Sequence, residues 1–168
     1  YWTMSEIIRW TWKAYWFSRK LINKNKYDLC HCWSGWPPGI IGYLFRRKVP
    51  YIIALRGSDV PGYNPRLKIL DKLIFGFISR IIWKDAKVVT ALSRNLKKLA
   101  WKTSDKVNIE VIYNGVDTDK FKPVINKSDF GIDILFVGRL IGRKGIVNLL
   151  KAFKEVRDEY KNCKLTIV

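Results

Sequence analysis

Polar and apolar positions along this chain alternate between two rhythms. Short segments at 27–32, 50–55, 87–92, 107–112 and 133–137 read as strands, and the run Pro50-Tyr51-Ile52-Ile53-Ala54-Leu55 is nearly all apolar. Strands of that kind are covered on both faces. Between them lie stretches with helical spacing, at 3–23, 40–47, 65–83, 94–101 and 146–160. Ser93 stands where an N-cap belongs for the helix over 94–101. Strand, helix and strand in repeated order predict an α/β fold built on parallel sheets. The helix over 3–23 has an apolar set too broad for one clean face, and the helix over 65–83 carries apolar residues from Leu67 and Ile69 through Leu73 and Phe77 to Ile82. The helix over 146–160 is expected to turn Leu149, Leu150, Phe153 and Val156 inward.

The pattern breaks between residues 117 and 132, where Asp, Lys, Pro123, Asn126, Ser128 and Gly131 replace apolar runs. That text predicts an interdomain linker over 118–132, with one α/β unit in 1–117 and the start of a second in 133–168. The chain opens without Met in an aromatic-rich segment and stops in the run Leu165-Thr166-Ile167-Val168, so it reads as a fragment of something larger.

Charge adds a constraint on partners. Lys and Arg number 32 against 14 Asp and Glu, a net charge of +18. The excess is spread, +7 over residues 1–60, +6 over 61–117 and +5 over 118–168. Such a balance fits nucleic acid, an anionic membrane, an anionic substrate or a Lys-rich solvated surface. An even spread without a stripe or a nucleic-acid motif speaks against nucleic acid. The Trp-rich segment 1–22 and the basic helix 65–83 are the stretches that suit an anionic lipid surface.

Cysteines are three, Cys30, Cys32 and Cys163, an odd number that fits a reducing compartment better than a disulfide framework. In Cys30-His31-Cys32, strand alternation puts the two thiols on one face and the imidazole on the other, against a shared metal ion. No run of about 20 apolar residues long enough to span a bilayer occurs.

Ligands of open parallel sheets bind at the carboxyl ends of strands, and four loops lie there. The most informative is Gly138-Arg139-Leu140-Ile141-Gly142-Arg143-Lys144-Gly145, between a strand and a helix start. A helix N-terminus offers free N–H groups and partial positive charge. Arg and Lys there suit a diphosphate, although a solvated basic turn would read the same way. The loop Leu55-Arg56-Gly57-Ser58-Asp59 offers a hydroxyl and a carboxylate beside a glycine, and equally makes a capping turn. His31, at a strand end, could be an acid–base group, a ligand contact or a satisfied structural histidine, and Trp33 with Trp36 could stack on a sugar or simply pack. Asn114-Gly115-Val116-Asp117 is a strong turn signal.

Taken in order, these stretches resemble the retaining glycosyltransferases of family 4, whose GT-B fold sets two Rossmann-like domains face to face. The matching text is Arg56-Gly57-Ser58-Asp59-Val60, then Val88-Val89-Thr90-Ala91-Leu92-Ser93. It continues with Val111-Ile112-Tyr113-Asn114-Gly115-Val116-Asp117 before Phe121 and Pro123, and with Phe136-Val137-Gly138-Arg139-Leu140 before Lys144-Gly145. The resemblance implies that 1–117 is the later part of the acceptor-side domain and that 133–168 opens the nucleotide-sugar domain. It implies transfer of a sugar from a nucleoside diphosphate to a hydroxyl, with retention and without a metal ion or other cofactor. Arg139 and Lys144 would neutralise the donor diphosphate, Gly138 would admit the donor to the backbone, and Arg56, Gly57, Ser58 and Asp59 would border the acceptor side. The acceptor would be a carbohydrate or a lipid-linked sugar, and the location cytoplasmic, at the inner face of the membrane where the partner is lipid.

Relatives often carry His where this chain has Arg56, and Arg is no ordinary proton acceptor. The family's glycine-rich first loop and paired-glutamate segment are absent from this text, which as it stands is less than half of a working enzyme. The competing expectation is a basic module that binds membrane or nucleic acid without catalysis.

Overall fold

A computed structural model describes residues 3–123 and 131–168. The chain divides into two compact units, Tyr1–Val116 and Asp117–Val168. The linker expected over 118–132 falls in part on 124–130, outside the described residues.

The first unit is a sheet of four parallel strands in chain order: β1 (Cys30–Cys32), β2 (Tyr51–Leu55), β3 (Val88–Ala91) and β4 (Ile109–Val111). Register runs Cys32 to Ile53, Leu55 to Ala91, and Ala91 to Val111. β2 lies between two neighbours and under helices, and Ile53 and Leu55 are wholly buried. A central parallel strand has no solvent face, which is why its sequence shows no alternation. β1 is shorter than the segment 27–32 suggests. Its ladder begins where Cys30 N–H meets the Pro50 carbonyl at 2.9 Å, and Tyr27 and Leu29 stay exposed.

Local chemistry sets the helix starts. α1 (Met4–Lys24) opens with a capping box: Thr3 Oγ1 accepts the Glu6 N–H, and the Glu6 carboxylate accepts the Thr3 N–H at 2.7 Å. Those hydrogen bonds from Thr3 hold the Glu6 carboxyl below its ordinary range. α2 (Pro38–Phe45) begins two residues before the expected start, because proline in the first turn lacks only an N–H that would be unpaired anyway. α2 sits hard on the sheet, so that a Cβ on Gly42 would lie 2.5 Å from Cys32 Sγ and 2.8 Å from the Tyr51 ring. Tyr51 is buried and donates its hydroxyl proton to the Ile82 carbonyl, and burial pushes its phenol above the ordinary value.

The expected helix over 65–83 is not uniform. A 3-10 turn, Pro65–Leu67, leads into α3 (Lys68–Leu70), a π-helical turn, Asp71–Phe75, and then α4 (Gly76–Asp85). The Gly76 N–H reaches back five residues to the Asp71 carbonyl, which is how the ladder absorbs one extra residue. The side chain of Asp71 meanwhile accepts the Gly62 N–H at 2.8 Å. The inward side of α4 carries Ser79, Ile82 and Trp83, at 1%, 2% and 1% exposure. α5 (Arg94–Trp101) has the expected bounds, with Ser93 Oγ accepting the Leu96 N–H at 3.1 Å.

The second unit pairs β5 (Ile132–Phe136) with β6 (Cys163–Ile167) in parallel, with α6 (Ile146–Glu159) as the crossover. Leu149 and Phe153 are half-buried, but Leu150 is 48% exposed, and Val156 is exposed too. The expectation that all four face inward is therefore corrected. Two strands are too narrow to cover a whole helix face.

Two substitutions test this packing in the full-length protein. Gly42→Ala should cost about 1–3 kcal/mol despite alanine's better helix propensity, because the methyl overlaps a buried thiol and ring. Ser93→Ala should cost about 1 kcal/mol through loss of the cap. Denaturant midpoints decide both, and a stabilised Gly42→Ala would refute the contact.

Candidate functional site

Because the four strands of the first unit are parallel, their carboxyl ends open at one edge, and the loops at 33–36, 56–63, 92–93 and 112–116 emerge together there. Asp59 ties two of them. Its Oδ1 accepts the N–H groups of Arg56 at 2.9 Å and Gly57 at 2.7 Å, and its Oδ2 accepts that of Gly35 at 2.6 Å. A carboxylate facing three N–H groups makes short, charge-assisted bonds, so Asp59 builds the loop. Gly57 has φ +125°, and a Cβ there would sit 3.1 Å from the Tyr63 ring, which restricts the position to glycine.

The staple sets the stance of Arg56. The guanidinium lies over the Trp33 ring, 4.4 Å from its centroid, and Nη1 donates to Asn114 Oδ1 at 3.2 Å. Residues following β1, β2 and β4 thus meet around one cation at the edge where ligands bind. Of the four expected acceptor-side residues, Arg56 is half-buried, Ser58 is exposed, Gly57 is buried, and Asp59 has both oxygens engaged by backbone. The meeting of Trp33 and Asn114 at Arg56 is absent from the sequence-based expectation, which took Trp33 for a packing or stacking residue and Asn114 for a turn former.

His31 is exposed, with its ring edge-on to Trp33 at 5.2 Å. Cys30 and Cys32 do share a face, with their Sγ atoms 3.9 Å apart. A hydrogen bond from Cys32 brings the Cys30 thiol down to about 7, and the same contact, with burial, pushes Cys32 up. Among the described residues no group of three or more His, Cys, Asp or Glu side chains is placed to share a metal ion.

In the second unit, Gly138 lies two residues beyond β5, its N–H donating to the Val168 carbonyl at 2.9 Å. The chain then runs through Arg139 to a 3-10 turn, Gly142–Lys144, and enters α6 at Gly145 with φ +72°. Gly145 supplies no side-chain cap, so none covers the first-turn N–H groups of α6. A Cβ on Gly142 or Gly145 would meet nothing within 4 Å, and Arg139 and Lys144 are both exposed. An open loop, an uncapped helix start and two exposed cations are features that suit an anion. Gly138, Arg139 and Lys144 belong to this second unit, and Arg56, Gly57, Ser58 and Asp59 to the first.

Two parallel α/β units, each with its chemistry at strand ends, define a Rossmann-like protein of the GT-B plan. The chain belongs to Glycosyltransferase Family 4, whose profile matches residues 1–120. It is 29% identical over 154 residues to an uncharacterised glycosyltransferase of Methanocaldococcus jannaschii, covering 88% of this chain and 40% of that one. It is 31% identical over 134 residues to the Escherichia coli UDP-Gal:α-D-GlcNAc-diphosphoundecaprenol α-1,3-galactosyltransferase, covering 74% of this chain and 34% of that enzyme. Among solved structures, Staphylococcus aureus MnaA in complex with UDP matches with a TM-score of 0.51 at 19% identity, over 96% of this chain and 46% of that one. That likeness concerns fold. The chain spans about two fifths of the length of the M. jannaschii relative and about a third of that of the E. coli enzyme. No helix among the described residues is long and apolar enough to cross a membrane.

The staple makes a stability prediction. Asp59→Ala should lower the unfolding free energy by about 2–4 kcal/mol, since three N–H groups lose a charged acceptor in a half-buried loop. Asp59→Asn should lose less, because its amide oxygen can replace Oδ1 while its NH₂ faces the Gly35 donor. Urea titration of the full-length variants checks the order, and an unperturbed Asp59→Ala would contradict it.

Proposed function

We propose that the complete protein transfers a sugar from a nucleoside-diphosphate donor to a hydroxyl acceptor, with retention of configuration and without a metal ion or further cofactor. The observation that carries this is the second-unit loop, with Arg139 and Lys144 exposed beside the uncapped start of α6. In the transfer the bond from the anomeric carbon to the β-phosphate oxygen breaks, and the acceptor oxygen bonds to that carbon on the same face. The acceptor proton passes to the departing phosphate. Negative charge grows on the diphosphate as it leaves, and Arg139 and Lys144 stabilise it where a metal ion otherwise would. Gly138 admits the diphosphate to the backbone, and Gly142 and Gly145 keep the approach open.

Arg56, Gly57, Ser58 and Asp59 serve the acceptor in this proposal, with Asp59 acting through the loop it holds. The acceptor is a carbohydrate or a lipid-linked sugar, and the work is done in the cytoplasm at the inner face of the membrane. Support for a lipid-linked acceptor comes from the E. coli relative, whose name specifies a diphosphoundecaprenol-linked sugar as acceptor and UDP-Gal as donor.

In the full-length enzyme, Arg139→Ala and Lys144→Ala should each lower turnover by about 100- to 1000-fold and leave the melting temperature unchanged, since both side chains are exposed. Transfer from a panel of UDP-sugars into membrane lipid, followed with and without EDTA, supplies the readout. Inhibition by EDTA would end the metal-free proposal, and near-normal turnover in both folded variants would end the site assignment.

A further inference from the structure

The helical segment that borders the acceptor-side loops has two apolar sides, and only one of them packs. Inward, Phe75 meets the Trp36 ring edge-on at 4.5 Å, and Ile82 and Trp83 are buried. Outward, Ile69, Leu73 and Phe77 recur at four-residue steps with exposures of 74%, 69% and 62%. Residues four apart lie near one face of a helix, and the wider π-helical turn between Ile69 and Phe77 keeps these three close to it. Ile74 widens the stripe at 46% exposure. An exposed apolar stripe of this size marks a contact surface.

Charge narrows the occupant. Residues 65–85 hold five Lys or Arg and two Asp. Both acids are engaged within the protein, Asp71 by the Gly62 N–H and Asp85 by Arg46 at 2.8 Å. The exposed cations Lys68 and Lys84 stand on the same segment as the stripe. Apolar side chains among cations, with Asp85 paired to Arg46 and Asp71 turned to a backbone N–H, complement the boundary of an anionic lipid leaflet, where the apolar groups enter the acyl region and the cations meet headgroups.

We infer that the face formed by Ile69, Leu73 and Phe77, with Lys68 and Lys84, is where the complete protein docks on an anionic membrane. The inference rests on the proposal of a lipid-linked acceptor and gives it a geometry. The same segment that meets lipid is tied to the acceptor-side loop, through Asp71 to Gly62 and through a small cavity of about 40 Å³ whose walls include Ser58, Asp59, Phe75 and Ser79. Docking there would place the loop carrying Arg56 beside the headgroup region. α1 also exposes Ile8 and Trp12, each at 64%. The tie to the acceptor loop distinguishes the segment at 65–85.

Flotation of the full-length protein, without donor or acceptor, on phosphatidylcholine vesicles with and without phosphatidylglycerol tests this. Binding should require the anionic lipid and weaken with salt. Leu73→Ser with Phe77→Ser should reduce it more than tenfold, since each buried apolar side chain contributes about that factor or more. Lys68→Glu with Lys84→Glu should also reduce it more than tenfold, each lost cation removing about fivefold. Ile8→Ser with Trp12→Ser should leave it within about threefold. Melting temperatures should match the parent, because all these residues are exposed. Binding lost only in the α1 pair overturns the inference. So does absence of binding to either vesicle, the outcome expected where another part of the chain or a second copy covers the stripe. Transfer to a soluble acceptor by a protein that fails to float would defeat the docking surface alone. Normal flotation by inactive Arg139→Ala would leave it standing.

Discussion

Three backbone N–H groups from two separate loops converge on the carboxylate of Asp59, and the working edge of the first unit follows from that convergence. Loop donors at the end of a parallel sheet have no ladder partner, and leaving them unpaired in a half-buried setting is costly. One charged side chain satisfies all three and fixes the Gly35 loop against the Arg56 loop. That placement puts Trp33 under the Arg56 guanidinium and Asn114 within hydrogen-bond reach of it. It also explains the glycines. Gly35 is buried where a Cβ would be 3.0 Å from Leu55 and 3.1 Å from Trp83 Nε1, and Gly57 turns through a positive φ that other residues avoid. The carboxylate expected to border an acceptor is thus the means by which a neighbouring cation is aimed.

The excess of positive charge divides in the same way between structure and surface. Arg46 stacks on Tyr43 at 3.8 Å and pairs with Asp85, and Arg80 Nε donates to the Thr103 carbonyl at 2.8 Å. Lys97 lies over the Trp101 ring at 4.6 Å. These cations close loops and helix ends. Arg139 and Lys144 are different, exposed on a loop whose Gly142 and Gly145 face open space and whose helix start is uncapped. Net charge alone could not separate the two kinds, because it is spread evenly along the chain.

Legibility in the sequence tracked how local the cause of each feature is. Ser93 and the bounds of α5 were readable because a cap and its N–H partner lie three residues apart. β2 was readable because complete burial removes alternation from the text itself. The faces of the helical segment at 65–85 and of α6 were not, because which apolar residues turn inward depends on the width of the sheet beneath. The π-helical turn adds to this by shifting the phase of the segment midway. In the candidate site, the loops themselves were legible from glycines and charges at strand ends. The contact between Arg56 and Asn114 spans 58 residues of sequence, and nothing local to either position announces it.

That contact bears on the chemistry. A guanidinium stays protonated at any pH the protein meets, so Arg56 cannot receive the acceptor's proton in the proposed transfer. It is also held from two sides, by the Trp33 face and the Asn114 amide oxygen. A cation fixed at the acceptor edge can orient a hydroxyl or an anionic group, and it raises the cost of leaving a second positive charge nearby. In the proposed transfer the proton goes instead to the group that gains negative charge in the same step, the departing phosphate. On that proposal Arg139 and Lys144 would lower the basicity of the phosphate as they stabilise it, so their strength has to be balanced. In the proposed transfer two exposed cations would have to stabilise the leaving group and still leave its oxygen basic enough to accept the proton.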